Sequence, residues 1–224
     1  MTDKLDIAPK STAIIAIDFQ HDIVGADGAF ATLFHAEVKR ADIIASTARL
    51  LGDARAAGVK IVYSTATFQP GYLELVPNIP VLNRVAELEC LVDGTAGAAI
   101  VEAVAPHDND IVLTHPRVSC FHGTQLDVVL RAAGIDTVVL TGIATNLAVE
   151  STARSAADLG YRTLVVSDAC STTSESAHNA SLESLMMLAE IVPTDGLLAA
   201  LTTFPRPGDS HRGVFISDSP TIRT

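Results

Sequence analysis

Positive charge is scarce in this chain. Its 224 residues hold 15 Lys+Arg against 26 Asp+Glu, a formal net charge of −11, and nowhere do the cations gather. Duplex DNA and anionic membranes both require a clustered basic footprint, so neither is an expected partner. No apolar run approaches the roughly 18 residues that a membrane-spanning helix needs. The opening segment MTDKLDIAPK is polar and lacks the apolar stretch of a secretory signal. Cysteines are few as well. Cys90, Cys120 and Cys170 are odd in number, far apart and free of CxxC or metal-knuckle spacing, which suits a reducing compartment rather than a disulfide framework. The expectation is a soluble, acidic, cytoplasmic protein.

Apolar mass, by contrast, is plentiful. Hydrophobic residues make up 48% of the chain and charged residues 18%, enough to offset the entropy of ordering a compact fold. Disorder and coiled coil are excluded as the main state, and the length suits a single core.

Short β-rich runs alternate with longer amphipathic stretches, the pattern of parallel strands joined by crossover helices. Strands are predicted over residues 13–18, 59–64, 111–114, 137–140, 163–167 and from 191. The first is almost wholly apolar, as a central strand covered on both faces should be. Helices are predicted over 37–57, where Val38, Ala41, Ile44, Ala48 and Leu51 mark one buried face, and over 98–104, 124–133, 146–159, 175–189 and 197–201. Residues 69–94 carry Pro70, Pro77 and Pro80 with little periodicity, and read as a long lid-like excursion over the strand ends. The fold class predicted is a three-layer α/β/α domain with a six-stranded, mostly parallel, Rossmann-like sheet over residues 1–202. Residues 203–224 are read as an extended tail or a subunit-embracing arm.

In open parallel sheets ligands bind beyond the carboxyl ends of the strands. That rule gathers Asp18, residues 64–67, His115 with Arg117, residues 144–148 and residues 168–171 around one cleft. Asp18 follows five apolar residues, and is read either as a turn cap or as a general acid or base. His115 precedes Pro116, so its backbone is expected to be extended. Arg117 and Arg84 could meet an anionic substrate. The histidines show no HxH or HExxH spacing, so no metal is expected. The strand–Gly142–helix segment 140–154 could present backbone N–H groups to a carboxylate or a developing oxyanion, or be an ordinary turn capped by Thr145 or Asn146. With neither GxGxxG nor GxxxxGK[ST] present, a dinucleotide or P-loop site is not expected, and no cofactor is predicted.

Four segments taken together, IIAIDFQ, DIVLTHPRVSCFHGTQLD, VVLTGIATNLAVESTARSAADLGY and VVSDAC, resemble the isochorismatase-like hydrolases, also called cysteine hydrolases, from about Ser11 to Leu201. The resemblance implies a catalytic set of an Asp after the first strand, a Lys in a K-x-R-x-S-A-F-like segment and a nucleophilic Cys in an A-T-N-x-C-V-like segment. It also implies a cis peptide that would join Ile143 to Ala144. Here the Asp is Asp18, the Lys position is His115, and the Cys position is Ala148, which is no nucleophile. Arg117, Ser119 and Phe121 keep the surrounding pattern. Gln20, Arg117, Phe121, Ile143, Ala144, Thr145 and Asn146 are then the expected substrate-binding residues, with Phe121 as an apolar wall.

An alanine cannot attack an amide carbon, so the family's thiol chemistry lacks its covalent step. Cys120, in the place of a small residue, and Cys170, in the DAC segment, are expected to be structural. A branch of the family hydrolyses vinyl ethers without a thiol, the Asp protonating the enol carbon before water adds. Without a permanent lysine cation beside it, Asp18 would hold a proton more readily, although a charged His115 would oppose this. The leading expectation is a hydrolase of this kind acting on a small carboxylate or ether, with Asp18 as acid/base. The alternatives are a catalytically silent binding member and a C–N hydrolase whose cysteine has been replaced by Ala148. The resemblance further implies a homodimer or homotetramer.

Overall fold

The computed structural model of the protein describes residues 5–201. The expected tail, 203–224, lies outside the described residues. In chain order the elements are β1 (Thr12–Ile17), α1 (His21–Val24), α2 (Ala31–Arg40), α3 (Ile43–Ala56), β2 (Lys60–Ala66), α4 (Pro80–Leu88), β3 (Ile111–His115), α5 (Leu126–Ala132), β4 (Thr137–Ile143), α6 (Glu150–Asp158), β5 (Arg162–Ser171), α7 (Glu175–Leu185), β6 (Glu190–Val192) and α8 (Thr194–Leu201). The six strands pair in the order β3-β2-β1-β4-β5-β6, and every pair is parallel. The chain winds outward from β1 on one side and from β4 on the other. A crevice therefore opens between their carboxyl ends, where ligands bind in sheets of this kind.

Every residue of β1 is buried, because both faces of the sheet are covered. Alternation still sorts the side chains. Ile14 and Ala16 join the core under α3 and α8 with Leu50, Leu51 and Leu197. Ala13, Ile15 and Ile17 join the opposite core with Leu130 of α5, Ala153 of α6 and Leu185 of α7. Helices on both faces of a parallel sheet give the expected three layers.

Several expected boundaries move. The helix read over 37–57 is two helices, broken at Asp42, whose φ of 50° is left-handed. The break lets α2 begin earlier, at Ala31, and deliver Phe34 to the crevice. Residues 69–94 are not a helix-free loop, because Pro80 opens α4. At the first helical turn a proline forfeits no hydrogen bond, so it starts a helix here instead of breaking one. The helix expected over 98–104 is reduced to a single tight turn at Glu102–Val104. Before it residues 96–98 form a turn whose Ala98 carbonyl accepts from Gln20 Nε2 (3.0 Å), and Ile100 bridges to Gln20 while the Val101 N–H donates to the Phe19 carbonyl (2.9 Å).

Strands β2, β4 and β5 all run further at their carboxyl ends than the apolar pattern predicts. Among the added residues Thr65, Thr141, Ser171 and others are polar or small yet buried, with exposed Asp168 and apolar Ile143 as exceptions, and side-chain bonds such as Thr141 Oγ1 to the Ala169 carbonyl (2.5 Å) satisfy the buried polar groups. Gly142 has a φ of 138°, and a Cβ there would stand 2.1 Å from the Ile17 carbonyl oxygen. Only glycine lets β4 approach β1 this closely at the crevice.

Candidate functional site

Asp18 leaves β1 in the left-handed region with a φ of 59°, a conformation Asp tolerates better than most residues. Its N–H donates to the Ser64 carbonyl (3.0 Å), and its carboxylate turns to the end of β2, where Oδ1 accepts from the Ala66 N–H (2.9 Å). The same oxygen lies 2.9 Å from Nε2 of His115, the last residue of β3. Both side chains are buried. Asp18 Oδ2 has no hydrogen bond within the protein, yet it is not sealed away, and Asp18 lines a cavity.

The proton inventory follows from the partners. His115 Nδ1 sits 2.5 Å from the Arg117 carbonyl oxygen, an acceptor only, so Nδ1 carries hydrogen. Nε2 then either faces a protonated Oδ1 or donates to an ionised carboxylate as part of an imidazolium. Burial opposes a charge on His115, but the attraction of Asp18, the bond to it and the Arg117 carbonyl outweigh burial and hold the His115 pKa above its ordinary value. The imidazolium donor is thereby favoured.

A small cavity of about 60 Å³ lies beside this pair. Its walls are largely hydrocarbon. Ile23, Phe30 and Phe34 come from α1 and α2, Val81, Leu82 and Val85 from α4, and Ile143, Ala144, Leu147 and Ala148 from the turn after β4. That turn begins with a cis peptide between Ile143 and Ala144, as the resemblance implied. It continues as a wide, π-type turn over Thr145–Val149, with the Ala144 carbonyl accepting from Leu147 N–H (3.1 Å) and Val149 N–H (3.2 Å). Neither Thr145 nor Asn146 caps it through its side chain. A wider space shares the Phe30, Phe34, Val81, Ala144 and Leu147 walls and adds Arg84, Asn146 and Thr172, forming a more polar vestibule.

The expected substrate-binding residues divide. Ile143 and Ala144 line the cavity, and Asn146 lines the vestibule, where its Oδ1 accepts from Thr172 Oγ1 (2.6 Å). Thr145 is fully buried behind the turn, its Oγ1 2.8 Å from Nδ1 of His178, an imidazole that burial pushes towards the neutral form. Gln20 lies beneath the floor, where Nε2 donates to the Ala66 and Ala98 carbonyls and to Thr67 Oγ1. Phe121 does not line the cavity. It stacks on Tyr161, ring centroids 5.8 Å apart, and packs with Cys120 against the core on the other face of the sheet. Arg117 borders the cavity, but its guanidinium donates on the exposed side to the Val76 carbonyl (3.2 Å) and Asn78 Oδ1 (2.9 Å). It ties down the excursion before α4.

Cys120 is sealed in the core, and burial, with the nearby charge of Asp18, pushes its thiol up to about 12. Burial raises Cys90 and Cys170 to about 12 too. None of the three lines the cavity. Among the described residues, no group of three or more His, Cys, Asp or Glu is arranged to hold a metal ion, and no helix is long and apolar enough to cross a membrane. Sequence reasoning missed the aromatic and aliphatic walls from α2 and α4. Nothing in their local pattern separates a residue facing a cavity from one facing the core.

Comparison with known proteins agrees with this architecture. Residues 12–196 match the isochorismatase domain. The ureidoacrylate amidohydrolase RutB of Methylobacterium radiotolerans is 33% identical over 196 residues, covering 82% of this chain and 76% of that protein. The uncharacterized isochorismatase family protein YwoC of Bacillus subtilis is 34% identical over 182 residues, 81% of this chain and 89% of its own length. A crystal structure of a cysteine hydrolase from Pseudomonas syringae pv. phaseolicola superposes with a TM-score of 0.81 at 25% identity, covering 91% of this chain and 99% of that one. With its doubly wound parallel sheet, its cavity at the switch point and a match over most of its length, the chain belongs to the isochorismatase family of hydrolases.

Proposed function

We propose that the protein hydrolyses a vinyl ether or a related small molecule without a thiol nucleophile, using Asp18 as acid and base and water as the attacking group. The observation that carries this reading is the asymmetry of the Asp18 carboxylate. Oδ1 is occupied by the Ala66 N–H and by His115, while Oδ2 is free at the cavity. From the resting ion pair with His115, the Asp18 carboxylate takes a proton from solvent onto Oδ2 and passes it to the terminal vinyl carbon, and the C=C electron pair forms the new C–H bond. The resulting oxocarbenium ion takes water at the carbon bonded to oxygen. Oδ2, now ionised, removes the proton of that water. The hemiacetal then separates into an alcohol and a carbonyl compound, and Asp18 returns its proton to solvent, restoring the ion pair.

The remaining residues support these steps. His115 holds Oδ1 and keeps the carboxylate aimed, and the turn at 143–148 offers backbone donors to the substrate oxygen. Ala148, at the position where the resemblance puts the family's nucleophile, contributes a methyl group and leaves room for water. Assays with phenyl vinyl ether test the reading. Asp18→Asn should lower kcat by about 10²–10⁴-fold, and turnover unchanged by that substitution would sink the mechanism.

The amide hydrolase reading has a specific observation behind it, the similarity to ureidoacrylate amidohydrolases. It needs a nucleophile that Ala148 does not supply, and Cys120 is sealed with its thiol held up. Amidase activity in the native chain would overturn our preference, whereas amidase activity only in Ala148→Cys would mark a lost nucleophile.

A further inference from the structure

We infer that the molecule entering the cavity is electrically neutral and largely apolar, with a single oxygen function reaching Asp18, and not a carboxylate. This deepens the proposed function and rests on that reading of the site. Three ionisable side chains border the cavity, Asp18, His115 and Arg117. The first two are committed to each other through a 2.9 Å contact, so His115 has no second ring nitrogen to offer, its Nδ1 being bound to the Arg117 carbonyl. The Arg117 guanidinium is engaged outside, on Val76 and Asn78. A carboxylate placed inside would meet backbone dipoles alone, beside a buried Asp18 whose own charge His115 already balances. Burying an unpaired charge in such surroundings is heavily disfavoured.

The walls argue the positive side. Phe30, Phe34, Phe68, Leu82, Val85 and Leu91 face the cavity, and removing an aromatic or aliphatic body from water against them is favourable in proportion to its apolar area. Negative charge could be met only further out. Arg84 lines the vestibule but is exposed and paired with Glu87 at 3.1 Å. The preference for neutral ligands is therefore a property of the inner cavity.

Isosteres that cannot react separate binding from turnover. Ethyl phenyl ether and 4-ethoxybenzoate differ by one carboxylate, and calorimetric titration of the full chain at pH 7.5 reads their affinities. The neutral ether should bind at least tenfold more tightly, equivalent to about 1.4 kcal/mol. Phe34→Leu should weaken the ether several-fold. Val81 is half-buried on the wall common to cavity and vestibule, so in Val81→Lys the ammonium can reach water while its stem covers the wall. That variant should raise 4-ethoxybenzoate affinity at least tenfold. Equal or tighter binding of the carboxylate by the native chain overturns the inference, as does failure of both ligands to bind, and neither result depends on the variants folding. If ethyl phenyl ether binds while phenyl vinyl ether is not turned over, only the hydrolytic mechanism falls. If 4-vinyloxybenzoate is turned over in preference to phenyl vinyl ether, only the neutral-ligand inference falls.

Discussion

The ends of β1 and β4 meet at the same crevice and are furnished in opposite ways. Beyond β1 the polar side chains of Asp18 and Gln20 are buried. Asp18 bonds through Oδ1 to Ala66 and His115, and Gln20 donates through Nε2 to the Ala66 and Ala98 carbonyls. Beyond β4 the chain presents Ile143, Ala144, Leu147 and Ala148, hydrocarbon only, on a wide turn. A thiol hydrolase needs reactive groups on both sides. Here the β1 side holds the hydrogen-bonded Asp18–His115 pair, and the β4 side provides shape and backbone. This division is what the proposed proton transfer with water as nucleophile draws on.

The contrast can be broken most severely where the two ends touch. Gly142→Ala should push the new methyl into the Ile17 carbonyl and force an unfavourable φ. We expect a loss of about 3 kcal/mol in urea unfolding, together with loss of turnover as the ends separate. Unchanged stability would show that the close approach is dispensable.

Next in size is the pair itself. The His115 pKa is raised in the folded state. Its stabilisation is therefore complete below the ordinary histidine value of about 6.5 and is lost as pH rises through the raised value. The gap between native protein and His115→Gln should be about 1.5–3 kcal/mol near pH 6 and should narrow towards pH 9. A gap that widened with pH would mean that His115 is held neutral.

On the β4 side, Ala148→Cys puts a thiol on the cavity wall. The native cysteines sit near 12, whereas an ordinary thiol titrates at about 8.5. Iodoacetamide should label the variant at least about tenfold faster than the native protein, with one label per chain by mass spectrometry. Equal rates would place residue 148 out of reach of solvent. The smallest effect belongs to Arg117→Ala, which frees the segment around Val76 and Asn78. Being exposed, those bonds should contribute about 0.5–1 kcal/mol, seen as a few-fold rise in KM with kcat unchanged. A fall in kcat equal to that for Asp18→Asn would give Arg117 a direct part in the chemistry.

Much of the fold was legible because buried parallel strands are written as continuous apolar runs. Ala13–Ile17 and Val138–Leu140 need no context to be recognised. The carboxyl ends were not, since Thr65, Thr141 and Ser171 are polar residues whose burial depends on partners in other strands. Pro80 misled because proline disrupts a helix interior and favours its first turn, and local sequence does not say which applies. In the site, Asp18 and His115 could be nominated from the strand-end rule. That Phe121 stacks on Tyr161 while Phe34 and Val85 line the cavity could not, because all three are apolar side chains and only the packing of helices distinguishes their surroundings.

By itself the sequence determined the layered α/β plan, the family, and the absence of a thiol at position 148, since each is written in residue type and spacing along the chain. Tertiary structure alone decided that His115 meets Asp18 through the oxygen that Ala66 also binds, that Oδ2 has no hydrogen bond within the protein, and that Arg117 serves the segment before α4. Hydrogen-bond direction and cavity shape arise from contacts between residues far apart in the chain, such as positions 18 and 115, and such contacts exist only once the sheet has wound.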